Sequence, residues 1–491
     1  MKCIFLLFML LPLIGFSQSR TLESLSSGNL VFTDILYDND WQVVGYFYIY
    51  ETETPDRETA KYEYVLLDKN LNPSFNMEHT ETVHKRLTRD YVSARYMGDR
   101  ISISSKYFIN KFSVKYGTPV PRAMFNSIQI ISLKDKKIEG EYFLEDDKMQ
   151  DVPELSDALF EQYKKKSNFN DNKLYGVSFD GFTGYLAFLE NESVSMYDDK
   201  FNMLWKHEYG DNIFIQSFVK DNYSAGIEIS DKKSKSKFYK KFHAFGLDSK
   251  DKSFEYLIQD GHSENNYETY VSRKIGDKFL LVGMLGDSER YAHVLSGKSL
   301  GLYRIILDIN GKEIDKKKFL WADVPKEYGL NKRGQNKQLY SPYAKAAFVF
   351  RDGSSAFLFE MTKETIGAAK PLKTLDMYLV QFDKNFEMTN IEQIDKSKTK
   401  GVGSDYRFSQ YMNDNNDAVF YFEDRRKNEE TGKKEWILGI NKIISGKYSY
   451  EEIPTSSEDF VRDILPAKEG YILIRESSDK GTEIRLEKLN L

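Results

Sequence analysis

The sequence predicts an all-β chain folded as a β-propeller of about eight four-stranded blades, with one or two short helices inserted between them. Three observations predict it. Tyr and Phe dominate an aromatic fraction of 14%, and such side chains suit a pleated, half-buried surface. An extended run that turns at an Asp and returns as a second extended run recurs along the chain. Each copy follows a denser apolar run that turns back to meet it.

The recurrence is read from the residues themselves. "YVLLDKNLNPSF" turns at Asp68, "IQIISLKDKKIEGEYF" near Asp135, "VSMYDDKFNMLWKHEY" at Asp198 and "FHAFGLDSKDKSFEYLI" at Asp248. "YRIILDINGKEIDKKKF" turns at Asp308, "MYLVQFDKNFEMTNIEQI" at Asp383 and "WILGINKIISGKYSYEEI" near Ser445. Spacings of roughly 50–75 residues point to a propeller or another repeat array. Upstream partners such as "WQVVGYFYIY" (41–50), "SAFLFEM" (355–361) and "GYILIRE" (470–476) are preceded by further extended pieces ending in polar turns. The unit is therefore four strands, A to D. Strands B and C are apolar on both faces, as sheets sandwiched between sheets require. Strand D is charge-laden, as in "KEIDKKKF", which suits an outer edge that must resist foreign strands.

The last unit, "FVRDILPAKEGYILIRESSDKGTEIRLEKLNL", supplies A, B and C and then reaches Leu491. A strand near 19–26 is expected to pair with this 460–491 blade and close the ring, making 18–491 one propeller domain. A seven-bladed ring with an appended hairpin is the alternative, followed by an array of β-sandwiches. A membrane barrel fits poorly, because its strands alternate apolar and polar faces. Two insertions, "DVPELSDALFEQYKKK" (151–166) and "ADVPKEYGL" (322–330), start at a Pro and read as short helices.

The N-terminus, "MKCIFLLFMLLPLIGFSQS", carries Lys2, an apolar segment and small residues before Gln18. That is the three-part pattern of a secretory signal peptide, residues 1–17, cut after Ser17. The apolar run is shorter than the ~20 residues that span a bilayer. Cys3 is the single Cys of the chain, so the exported chain is expected to have no disulfide. The expected location is the periplasm or the outside of the cell, with no transmembrane helix in the mature chain. A net charge of −5 gives no global signature of a nucleic-acid binder.

Asp at six of the seven corners raises the question of calcium, which takes several oxygen ligands in a regular acidic spacing. "DINGKE" (308–313) comes nearest but lacks the acidic run, and Asp and Asn recur at corners because they accept nearby backbone N–H groups. The corner reading is preferred, and no metal or cofactor is expected. His79, His84, His207, His243, His262 and His293 show no ligand spacing. There is no HExxH, P-loop or GxSxG.

Function is expected on the loops, which a rigid scaffold positions. The B–C connections are long and variable and share one face with the D–A connectors. "KYGTPVPRAMF" offers Tyr116 and Arg122; "GDSERYAHVLSGKSLG" offers Arg290, Tyr291, His293 and Lys298. The connector "YGLNKRGQNKQLYSPY" adds Arg333, Tyr340 and Tyr343. Arg can fork onto carboxylate or phosphate, so a ligand-binding pocket for an anionic group is expected there. The basic run "SDKKSKSKFYKKF" (230–242) reads as a charged hairpin exposed to water.

With its signal peptide and its repeated "(Y/F)-x-x-x-(L/F)-D-K-N-(L/F)" hairpins at Asp68 and Asp383, the whole mature chain resembles a group of uncharacterised exported β-propeller-like proteins of Gram-negative bacteria. That resemblance implies the architecture and no catalytic residue. The functional expectation is a monomeric, non-enzymatic scaffold that binds a protein, peptide or glycan at the cell envelope. The alternative is a hydrolase or lyase of polysaccharide or peptide, with Asp, Glu, His or Tyr as general acid and base.

Overall fold

The computed structural model describes residues 19–490 apart from short stretches, the longest being 110–121, 157–177, 288–298 and 364–372. The fold is all-β and of the β-propeller class: among the described residues the strands form antiparallel sheets, most of them four-stranded meanders. Sheet 1 comprises Asn29–Tyr37, Val43–Glu53, Thr59–Asp68 and Pro73–Thr82. Sheet 2 comprises Leu87–Tyr96, Arg100–Ile109, Arg122–Ser132 and Lys137–Glu145, with Lys148–Asp151 added at its edge. Sheet 3 comprises Ser178–Phe182, Tyr185–Leu189, Ser193–Asp198 and Met203–Glu208. Ile213–Lys220, Tyr223–Asp231, Phe238–Gly246 and Phe254–Gln259 form sheet 4. Sheet 5 holds Asn265–Ile275, Lys278–Asp287, Ser299–Asp308 and Glu313–Leu320. Sheet 6 holds Ser341–Val349, Ser355–Lys363, Lys373–Phe382 and Met388–Ile394, plus the two-residue strand Thr399–Lys400. Sheet 7 holds Tyr406–Met412, Asp417–Lys427, Lys434–Ile444 and Lys447–Pro454. In sheet 8, Val461–Pro466, Tyr471–Ser478 and Gly481–Lys488 are joined by the N-terminal Ser19–Thr21. Strands are called A to D in this order, so A–B and B–C connections leave opposite ends of a sheet.

The chain divides into two compact units. One spans Met1–Tyr37, Gln42–Val83 and Ser457–Leu491 and contains sheets 1 and 8. Their facing side chains share one core, built from Tyr46, Tyr48, Tyr50, Val65 and Leu67 against Leu473, Ile484 and Leu486. The N-terminal segment is fastened there in three ways. Ser19, Arg20 and Thr21 pair with Arg485, Ile484 and Glu483. Leu22, only 2% exposed, enters the shared core, and its carbonyl accepts the Tyr50 hydroxyl at 3.0 Å. Arg20 Nε donates to the Leu71 carbonyl (3.1 Å), and Glu23 accepts the Thr482 N–H (2.8 Å).

The second unit, Asp38–Trp41 with His84–Ser456, contains sheets 2 to 7. Each consecutive pair is joined by an apolar cluster. Met97, Ile128 and Ile130 of sheet 2 meet Tyr197 of sheet 3. Met196 and Trp205 of sheet 3 meet Phe245 and Leu247 of sheet 4. Phe242 and Ala244 meet Phe279 and Leu281, Val282 and Met284 meet Phe357 and Phe359, and Leu358 meets Phe420. Such stacking makes strands B and C apolar on both faces. Several buried charges break the rule, the most deeply buried among the described residues being Arg304 on strand C of sheet 5 and Glu360 on strand B of sheet 6. Each is paired, Arg304 with Asp315 at 2.6 Å and Glu360 with Lys345 at 2.9 Å.

Four of the corners share one geometry, while the turn near Asp135 is built on Ser132, that at Ser445 is a two-residue turn, and Asp248 lies outside the described residues. Asp68, Asp198, Asp308 and Asp383 each accept the backbone N–H groups two and four residues on, at 2.7–2.9 Å. The residue three positions on lies in the left-handed region: Leu71 (φ 64°), Phe201 (φ 64°), Gly311 (φ 80°) and Phe386 (φ 62°). A non-Gly residue there is strained and needs compensation. Burial supplies it. Leu71 enters the core shared with sheet 8, Phe386 the core shared with sheet 5, and Phe201 lies 4.1 Å from the Tyr142 ring of sheet 2. The corners of sheets 3, 5 and 6 lean on the sheet before them in the chain, and that of sheet 1 leans on sheet 8. At Gly311 the Phe254 ring already occupies that place, since an added Cβ would lie 2.2 Å from it.

The insertion at 322–330 forms two single 3-10 turns, Trp321–Asp323 and Lys326–Tyr328. Where the 151–166 helix is expected to begin, Lys148–Asp151 continues sheet 2 as a strand, and most of the rest lies outside the described residues. The signal-peptide segment 1–17 also lies outside them. Among the described residues no helix is long and apolar enough to cross a membrane.

Candidate functional site

Most of the loop residues singled out from sequence fall outside the described residues: Tyr116, Arg290, Tyr291, His293 and Lys298. Arg122 opens strand C of sheet 2, opposite Ile109. Arg333 and Tyr340 lie in the connector before sheet 6, which repeats the corner geometry twice. Asn331 accepts the N–H groups of Arg333 and Gln335, and Asn336 those of Gln338 and Tyr340. Tyr340 is 3% exposed and packs in the core between sheets 5 and 6. Leu339, in the same left-handed position as the corner plugs (φ 62°), is instead 58% exposed.

The basic run 230–242 divides at strand C of sheet 4. Lys241 is exposed and pairs with Glu255 at 3.1 Å. Lys240 is 5% exposed and donates to the Asn266 side chain and the Tyr267 carbonyl, both at 2.7 Å. Burial disfavours its charge and pulls its pKa down to about 8, against the opposing pull of Glu268.

A cationic cleft of about 190 Å³ opens at the other ends of the strands, where the A–B turns of sheets 5, 6 and 7 meet. Arg273, Lys274 and Gly276 line it from sheet 5, Arg351 from sheet 6, and Asp414 and Asn415 from sheet 7. Its walls are fixed by bonds between sheets. Arg273 Nη1 donates to the Val349 carbonyl (2.6 Å), and its guanidinium lies 4.4 Å from the Tyr411 ring centre. The Val349 N–H donates to the Tyr411 hydroxyl, and the Arg351 N–H to the Asn415 carbonyl. Arg351 also pairs with Asp414 at the exposed rim. Asn413, Asp414 and Asn415 are all left-handed (φ 50°, 54° and 65°). A strained turn kept at a charged cleft is the kind of backbone feature that clusters at functional sites.

A second cluster lies between sheets 3 and 4. His207 on strand D of sheet 3 directs Nε2 to Glu228 Oε2 at 3.2 Å; His243 on strand C of sheet 4 directs Nε2 to the same oxygen at 2.7 Å. Asn212 Nδ2 donates to the other oxygen at 2.7 Å. Burial opposes ionisation of Glu228, but the bonds from both imidazoles and Asn212 outweigh it and hold the carboxyl far below its ordinary range. Spacing in sequence does not reveal this group. The available signal is strand alternation: His207 shares a face with Trp205, and His243 with Phe245, whose rings stack across the sheets at 4.5 Å.

No protein-family model and no curated protein matches the chain. Solved structures similar to it include the β-propeller domain of the Trilobed protease from Pyrococcus furiosus, at 10% identity and a TM-score of 0.35, covering 88% of this chain and 96% of that one. The WD40 domain of Neurospora crassa Pan2 is similar at 8% identity and a TM-score of 0.35, over 82% of this chain and 90% of that one. A PL25 ulvan lyase is similar at 8% identity and a TM-score of 0.34, over 81% of this chain and 91% of that one.

Proposed function

We propose that this protein is an exported, non-enzymatic β-propeller that binds a carboxylate-bearing peptide or glycan of the cell envelope, with its N-terminal strand closing the domain. The cleft of Arg273, Lys274 and Arg351 carries the reading: three cations face one carboxylate, Asp414, at the meeting of three turns. A ligand carboxylate can take the place of Asp414 on Arg351, whose planar fork suits two parallel hydrogen bonds. Arg273, held by Val349 and Tyr411, needs little ordering on binding. The export part of the reading rests on the N-terminal sequence pattern.

The test is a binding screen of the mature protein against uronate-containing glycans and acidic peptides. Lys274→Glu with Arg351→Glu is compared with a control carrying Arg290→Glu, from the chain segment between strands B and C of sheet 5, and Arg333→Glu, from the connector before sheet 6. Charged hydrogen bonds contribute ~1.5–3 kcal/mol each, so the cleft variant, which loses two cations, should lose about 100–10,000-fold in affinity, more at low than at high salt. Loss in the control alone would move the site to the B–C and D–A loops. Turnover of the bound glycan or peptide would make the protein an enzyme.

A further inference from the structure

We propose that His207, Glu228 and His243 form a binding site for a first-row divalent cation, with zinc the best fit, joining sheets 3 and 4. Their ligand atoms all lie within 4.8 Å of one another. Ligands around a tetrahedral zinc, with bonds near 2.0–2.2 Å, stand about 3.3–3.5 Å apart. From Glu228 Oε2, the 3.2 Å separation to His207 therefore needs to open by about 0.1–0.3 Å and the 2.7 Å separation to His243 by about 0.6–0.8 Å. Two imidazoles and one carboxylate are a common zinc donor set, and three protein ligands leave a fourth position open.

The surroundings fit the same reading. Glu228 and His243 are diagonal neighbours on one face of sheet 4, because Gly226 stands opposite His243 and Lys241 opposite Glu228. Gly226 keeps a side chain out of the space between them. Asn212 fixes the second carboxylate oxygen, as outer groups do for metal ligands. His243 lies flat on Phe245, with rings 7° apart, and Phe245 stacks on Trp205, so the ligand wall is rigid. The neighbouring cations face elsewhere: Lys206 pairs with Glu208 and Lys241 with Glu255. The His243 side chain is 4% exposed and that of His207 23%, which places the route of entry past His207.

The experiment uses the mature chain without a histidine tag, stripped with chelator and titrated with Zn2+ by calorimetry and with Co2+ by visible absorption. One equivalent of Zn2+ should bind, and Co2+ should give the intense bands of a four-coordinate site. Glu228→Gln and His207→Asn should abolish that equivalent, and Asn212→Ala should weaken it about tenfold. His207 is the least buried of the three ligands, so its variant keeps the test valid if Glu228→Gln fails to fold. No stoichiometric binding by the wild type would overturn the proposal. So would binding that is unchanged in His207→Asn, since it would then belong to other side chains.

Discussion

At the scale of single residues, the corner aspartates work through their backbone bonds. Asp383 is exposed, and the N–H groups of Glu387 and Asn385 hold its carboxyl below the usual range despite slight desolvation. Replacing it by Ala removes two hydrogen bonds and leaves Phe386 strained, so Asp383→Ala should cost about 1–2 kcal/mol in denaturant unfolding. Asp383→Asn keeps an acceptor and should cost less. Lys240 gives the opposite kind of test. Its folded pKa, about 8, lies below the ordinary 10.5, so between those values the unfolded chain holds a proton that the folded chain has released. Stability attributable to Lys240 should therefore rise with pH across that window, by about 1–3 kcal/mol relative to Lys240→Met. Unfolding of both proteins at pH 7.5 and 10.5 checks the sign. The motif D-K-N-(L/F) shows both the Asp acceptor and the apolar residue after Asn. The left-handed plug it creates is legible only once the neighbouring sheet is in place, because burial offsets its strain.

At the scale of elements, one recurring feature escapes a period-two reading. In sheets 1, 2, 4, 5, 6 and 7 the A strand carries one extra residue against strand B: Val31, Val92, Ser217, Tyr270, Lys345 and Arg407. A bulge bends the strand and re-aims a side chain, and Lys345 and Arg407 use it to reach Glu360 and Glu423 of their own B strands. The B and C strands are legible because both faces meet apolar neighbours and the residues say so. The bulges are not, since inserting one residue into an alternating pattern looks like a change of face. The N-terminal strand is a testable element. Leu22→Ala should cost about 2–3 kcal/mol by the cavity it leaves, and removal of residues 19–24 at least as much, read as a drop in Tm. An unchanged Tm would show that Ser19–Thr21 adds nothing to sheet 8.

At the scale of the whole molecule, repeated sheets give two sets of strand ends that can carry function. The sequence points to the B–C and D–A ends because those connections are long and rich in Arg and Tyr. The cationic cleft sits at the A–B ends, where connections are short, and no single turn contains enough charge to attract notice. Arg273, Arg351 and Asp414 converge only because sheets 5, 6 and 7 stack in register. The same is true of His207 and His243, which come from neighbouring sheets. Amide hydrogen exchange with and without a carboxylate-bearing ligand distinguishes the two ends most directly. The account predicts slowed exchange at 273–276, 351–354 and 413–416 on binding. Protection confined to 110–121, 288–298 and 364–372 would contradict it.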